Sequence, residues 1–185
     1  MKCTQVFAIA AAATLVLGSP GAQAQTPQWL AARWYAIPEN ASFLTGDTWN
    51  SGGITYRLYG VQSCLRGTSF TNASGARLDC GEASLTMLVA LIRDLKPMCY
   101  TAAEQVQSHI KFVFCMASPT SGHATGTRID LGTALIASGF AFASIAADAK
   151  PVHQPYLVAQ KSKSGLWQYA DLPDPNLILL RALRK

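Results

Sequence analysis

The sequence predicts an α+β fold, a small barrel of short strands with helices interspersed. Three observations point there. Residues 54–61, Ile-Thr-Tyr-Arg-Leu-Tyr-Gly-Val, alternate in the manner of a half-buried strand. Turn signals at Thr45-Gly46-Asp47-Thr48 and over residues 50–53 punctuate the stretch before it. Residues 82–95 then place Leu85, Leu88, Ile92 and Leu95 on one helical face at steps of 3, 4 and 3.

At 185 residues the chain is about one domain long. It is 50% hydrophobic and 14% charged, which excludes intrinsic disorder, and its composition is not that of a coiled coil. Fifteen Lys and Arg against ten Asp and Glu give a formal net charge of +5. That mild basic bias is compatible with an anionic partner without being evidence for one.

Residues 1–24 read as a secretory signal peptide: Lys2, an apolar run over 6–17, then Gly18, Ser19 and Pro20, with Ala22-Gln23-Ala24 at the cleavage site. The run is too short for an ordinary transmembrane helix, and an uncleaved anchor is the competing reading. No later stretch offers the roughly 18 consecutive apolar residues of a membrane span, so the mature chain is expected to be soluble and secreted or periplasmic.

Residues 25–40 form a leader with Pro27 and Pro38, in which Trp29, Leu30, Trp34 and Tyr35 fit one helical turn. The domain proper is expected over 41–170, opening with two strands over 41–61 and a polar loop over 62–79. The helix over 82–95 stops before Pro97. A strand over 110–116 and a small polar loop over 118–127 follow. Asp130 can cap a short helix running to Ser138 and ending at Gly139. Phe140-Ala141-Phe142 reads as extended, and residues 156–163 as a third helix. In the tail, 171–185, the segment 177–185 is apolar and then basic, a docking helix with a solvated end rather than a membrane device.

Cysteine usage agrees with export. Cys3 leaves with the signal, and Cys64, Cys80, Cys99 and Cys115 remain, an even number. Four cysteines allow three pairings. The sequence-local choice is Cys64–Cys80 with Cys99–Cys115, each closing a loop of about 17 residues and contributing roughly 3 kcal/mol. Zinc is the rival use, but no C-x-x-C pair is present and His109, His123 and His153 lie at no useful spacing.

Several segments together resemble the thermonuclease (staphylococcal nuclease-like) family. They are Thr45-Gly46-Asp47-Thr48 with the strand ending Arg57-Leu58-Tyr59-Gly60-Val61, then Asp79-Cys80-Gly81-Glu82-Ala83 before the long helix. Asp130-Leu131-Gly132 through Leu135-Ile136-Ala137-Ser138-Gly139-Phe140-Ala141 is similar to a family helix, and Tyr156, Ala159-Gln160 and Gly165-Leu166-Trp167 to its closing element. The resemblance covers residues 41–167. It implies a five-stranded OB-type β-barrel with about three helices, an architecture used for oligonucleotides and oligosaccharides.

The chemistry it implies is calcium-assisted phosphodiester hydrolysis. Two carboxylates hold the ion, a glutamate serves the attacking water, and two arginines hold the phosphate. Asp47 falls on the first metal carboxylate and Arg57 on the first phosphate arginine. The second carboxylate position is Gln62, the glutamate position Leu65 and the second arginine position Ile110. Cys64 stands where the family has a proline. A lost general base costs about 10²–10⁴ in rate and a lost transition-state donor about 10²–10³.

The resemblance therefore implies a hydrolase fold whose nuclease centre has decayed, and an exported binding or accessory protein. Its partner would be an anionic polymer (polysaccharide or nucleic acid) or an envelope protein. Such exported members resemble those associated with bacterial exopolysaccharide (succinoglycan-type) production. No cofactor is expected, and calcium only where the nuclease centre works. The alternative is an active secreted calcium-dependent nuclease using another residue set such as His109, Lys111 and Arg66; a purely structural envelope protein is a third reading.

Plainer readings stand beside these. Asp47 can simply close a turn, Arg57 can be an exposed strand residue, and the two can form a structural ion pair. Trp49, Tyr56 and Tyr59 are candidates to stack on bases or sugars, with one of each neighbouring pair expected in the core. Glu82 and Glu104 form no evident acid–base pair, and no G-x-S-x-G, P-loop or H-E-x-x-H motif occurs.

Overall fold

A computed structural model describes residues 34–117, 128–145 and 150–184, the side chains of 150–153 excepted. The signal segment, most of the leader and the loop over 118–127 lie outside the described residues, as does His123.

In chain order the strands β1 (Tyr35–Ala36), β2 (Ser42–Thr45), β3 (Thr48–Ser51) and β4 (Ile54–Leu58) come first, then β5 (Val61–Ser63), β6 (Ser69–Thr71) and β7 (Arg77–Asp79). Helix α1 (Cys80–Leu95), β8 (Met98–Gln105), β9 (Ile110–Ala117) and β10 (Ile129–Asp130) follow. The last described elements are α2 (Leu131–Ala137), β11 (Ala141–Ala143), α3 (Lys150–Ser162) and α4 (Pro175–Leu183).

The fold is α+β, a curled mixed sheet with four α-helices among the described residues. The main sheet runs β1-β8-β9-β4-β3-β2, with β10 added on β9. One pair in it is parallel, β4 with β9. Two small ladders, β5–β11 and β6–β7, complete the strands.

Local chemistry explains these elements. Ser51 pairs with Ile54 across Gly52 and Gly53, both at positive φ (59° and 77°), so the β3–β4 hairpin closes on two residues that only glycine accommodates easily. Gly46 is required for a different reason. A Cβ there would sit 2.5 Å from the Ser84 Cβ, so α1 lies directly against the β2–β3 turn. Asp79 caps α1 by accepting from the Glu82 N–H at 2.9 Å, and Lys96 ends the helix in the left-handed conformation. Asp130 caps α2 through the Thr133 N–H at 2.7 Å.

The main core gathers Trp49, Leu58, Val61, Leu88, Val113, Leu131, Leu135 and Ile136 between the sheet and the helices, with Met87, Leu91, Ile92 and Leu95 packed against it. The helical seam predicted through Leu85 is thus shifted. Leu88, Ile92 and Leu95 belong to it, and the remaining positions are Ser84, Met87 and Leu91. A second cluster joins Cys64, Phe70, Cys80, Phe142 and Leu166. The disulfides are Cys64–Cys80 and Cys99–Cys115, the sequence-local pairs. Cys99 and Cys115 stand opposite one another in the β8–β9 ladder.

The structure corrects three expectations and refines a fourth. Tyr35 is in a strand on the edge of β8, not in a helical turn. Residues 41–61 hold three strands and the start of a fourth, because both glycine-bearing turns are tight hairpins. The segment 62–79 is not a plain loop but contains the β6–β7 hairpin, pinned where Asp171 accepts from the Thr71 N–H and hydroxyl. The tail helix α4 docks only by its first turn. There the buried Asn176 donates to the Ala143 carbonyl at 3.0 Å, while every residue from Leu179 to Arg184 is exposed.

Among the described residues no helix is long and apolar enough to cross a membrane. The two disulfides are consistent with an extracellular or periplasmic protein.

Candidate functional site

The polar centre of the molecule forms where the β2–β3 turn meets β4 and β5. Asp47 sits in that turn with 2% of its surface exposed. Its backbone carbonyl accepts from the Leu58 N–H at 2.9 Å, which fixes the turn on the end of β4. Arg57, one residue earlier on β4, then reaches the Asp47 carboxylate with Nη2 at 3.3 Å from Oδ2. The ion pair considered from sequence is present.

The carboxylate is fully engaged. Oδ1 accepts from the hydroxyls of Thr45 (2.6 Å), Thr48 (2.8 Å) and Ser63 (3.2 Å). Oδ2 takes the Ser63 N–H at 3.2 Å as well as Arg57. A carboxylate offers about four lone-pair sites, and these five donors occupy them. Gln62 closes a circuit. Its Oε1 accepts from Arg57 Nη2 at 2.7 Å, and its Nε2 donates to the Ser63 carbonyl at 2.9 Å. Arg57 therefore lies between Asp47 and Gln62 and contacts both.

The other inferred positions are placed as follows. Ile110 begins β9, whose register sets Thr55 beside Ile110 and Arg57 beside Phe112, so alternation puts Ile110 on the Arg57 face. Leu65 is half-buried in a tight turn where its carbonyl accepts the Thr68 hydroxyl at 2.6 Å and the N–H at 3.2 Å. The Cys64–Cys80 bridge staples that turn to the start of α1. Buried Ser84 adds a second tie, accepting from the Cys64 N–H and donating to the Phe140 carbonyl.

Of the alternative residue set, Arg66 pairs with Glu82 at 3.1 Å on the surface. Lys111 stands beside Tyr56 in the ladder, on the face opposite Arg57. His109 adopts a left-handed conformation at the turn before β9. Among the described residues no three of His, Cys, Asp or Glu converge as a metal-binding group would.

Sequence reasoning named Tyr59 as a stacking candidate but missed the aromatic row it joins on the outer face of the sheet. Trp34 meets Tyr100 at 4.7 Å between ring centroids, Tyr100 stacks on its cross-strand partner Phe114 at 5.7 Å, and Phe114 meets Tyr59 at 5.1 Å. The four rings are partly exposed. Beside Trp34 a groove of about 360 Å³ continues over Met98 and Met116 to Lys96 and Arg128. Neither cation is ion-paired among the described residues. By contrast Trp49, a sequence candidate for stacking, is buried in the core against Tyr56. The available signal was β9 itself, which is apolar at both parities: Phe112, Phe114 and Met116 outward, Val113, Cys115 and Ala117 inward.

The sequence matches no protein-family model and no curated relative.

Proposed function

We propose that this chain is an exported, disulfide-stapled binding or accessory protein on a thermonuclease-type OB barrel whose cleavage centre is silent. The observation that carries the reading is the occupancy of Asp47. Calcium needs six to eight oxygen ligands, and this carboxylate has no lone pair to give without losing a protein hydrogen bond. The family's water-activating position is Leu65, which cannot accept a proton.

The strand arrangement supports the barrel. The meander β2-β3-β4 lies beside parallel β9, and β9 lies beside antiparallel β8. The two edges of the sheet, β1 and β2, are successive in the chain with only residues 37–41 between them.

The aromatic row supports a binding role. Partly exposed rings flanked by Lys96 and Arg128 offer stacking and charge to an anionic polymer, either an acidic polysaccharide or a nucleic acid.

The purified protein tests this directly. With Ca²⁺ it should leave DNA and RNA intact. Tryptophan fluorescence should report binding of an acidic polysaccharide or of single-stranded DNA, weakened by Tyr100→Ala. Calcium-stimulated cleavage that is abolished by EDTA and by Arg57→Ala would overturn the reading.

A further inference from the structure

We infer that α4 is a docking device for an anionic lipid surface. The helix leaves the domain after Asn176 and presents its apolar side chains to solvent: Leu177, Leu179, Leu180 and Leu183 are 50%, 39%, 38% and 84% exposed. At 100° per residue these four fall within one arc of about 160°. Arg181 lies about 40° beyond the Leu177 edge of that arc, Arg184 is the C-cap next to that same edge, and Lys185 follows in the sequence. Ile145, also exposed, extends the apolar surface at the root of the helix, where its N–H donates to Asn176 Oδ1 at 3.4 Å. Acidic residues are absent from α4 itself; Asp174 is the N-cap, at the docked end.

Charge placement selects the occupant. An apolar arc bordered by arginines matches the boundary between acyl chains and anionic headgroups, with leucines inserted and guanidinium groups reaching the phosphates. A second copy of the chain fits less well. The four leucines together expose about as much area as two fully exposed leucines. That is well short of the roughly 800 Å² per partner that a stable dimer buries. The same shortfall means the leucines alone bind weakly, so the cations must supply the second signal. This inference does not depend on the silent nuclease centre.

Vesicle sedimentation with the exported, processed protein tests it. Binding is expected to vesicles of phosphatidylglycerol and phosphatidylcholine, and not to phosphatidylcholine alone. Leu180→Ser with Leu183→Ser should lower partitioning at least about tenfold. Arg181→Gln with Arg184→Gln should lower it at least about fivefold. All four side chains are exposed, so near-ultraviolet circular dichroism should be unchanged. In Leu183→Trp, emission from the new indole should shift to the blue on anionic vesicles. Three outcomes would overturn the proposal: equal binding to both vesicle types, partitioning indifferent to the leucine pair, or a dimer in sedimentation that the same pair dissolves.

Discussion

Arg57 and Arg128 lie toward opposite ends of the outer face of one sheet, and they are opposites in use. Arg57 is tied to Asp47 and Gln62, and Asp47 in turn to Thr45, Thr48 and Ser63. Arg128, with Lys96 across the groove, meets no carboxylate among the described residues. A charge that is satisfied by its own chain holds the fold together; a charge left on a groove beside exposed rings is available to a ligand. The site inferred from family-like positions is thus tied up within the chain, and in the proposed reading this makes it the structural end and the unanticipated end the binding one.

The largest effect should come from breaking the structural end. Asp47→Ala leaves the Ser63 N–H, three hydroxyls and Arg57 without their acceptor in a buried setting. We expect a loss of about 3 kcal/mol in urea unfolding. Arg57→Ala should cost only about 1 kcal/mol, because that side chain is 35% exposed and Asp47 keeps its other donors. Equal losses would mean that the ion pair, not the hydrogen-bond circuit, holds the turn.

The next test asks whether Arg57 stands where a metal would otherwise lie. Gln62→Asp alone adds a second carboxylate, yet Arg57 remains between the two and Asp47 remains engaged. Calorimetry should show no calcium binding. Adding Arg57→Ala removes the internal cation, and millimolar calcium affinity should emerge. Calcium binding by the single variant would break the distinction between the two ends.

The binding end should respond the other way. Lys96→Ala with Arg128→Ala should change stability by less than about 0.5 kcal/mol, since both lack ion-pair partners among the described residues. Affinity for an anionic polymer should fall severalfold, and its salt dependence should weaken.

The reach of the sequence follows the range of the interactions. Helix α1, the Gly52-Gly53 turn and the Asp130 cap of α2 rest on neighbours within four residues and were legible, whereas the Asp79 cap was not read and α1 begins two residues earlier than expected. Strand β8 was not. Its ladder shifts register between Thr101 and Ala103, which spoils the alternation, and Ala102, Ala103, Glu104 and Gln105 carry little strand signal. Ser63, the main partner of Asp47, sits 16 residues away on a three-residue strand buried throughout, too short to show any period. The aromatic row depends on register between β8 and β9, which no local pattern supplies.

The smallest effect concerns pH and the edge of the structural end. Asp79 caps α1 and also accepts from the Gly67 N–H at 2.7 Å, so it clamps the stapled turn to the helix. Partial burial pushes its carboxyl up, but the N–H groups of Glu82, Gly67 and Gly81, with Arg66 nearby, outweigh that and hold it below the ordinary carboxylate value. A depressed acid stabilises the fold above its unfolded pKa of about 3.9, and that contribution is lost as pH falls through the folded value. Asp79→Asn keeps a competent N-cap but cannot titrate. Unfolding free energy measured from pH 6 down to pH 2.5 should therefore fall less steeply in Asp79→Asn than in the parent, with the two curves converging at the acid end. The difference is small because Asp79 is solvent-screened. Parallel curves would show that its backbone hydrogen bonds do not favour the ionised form, and the clamp on the turn would then rest on the Cys64–Cys80 bridge and Ser84 alone.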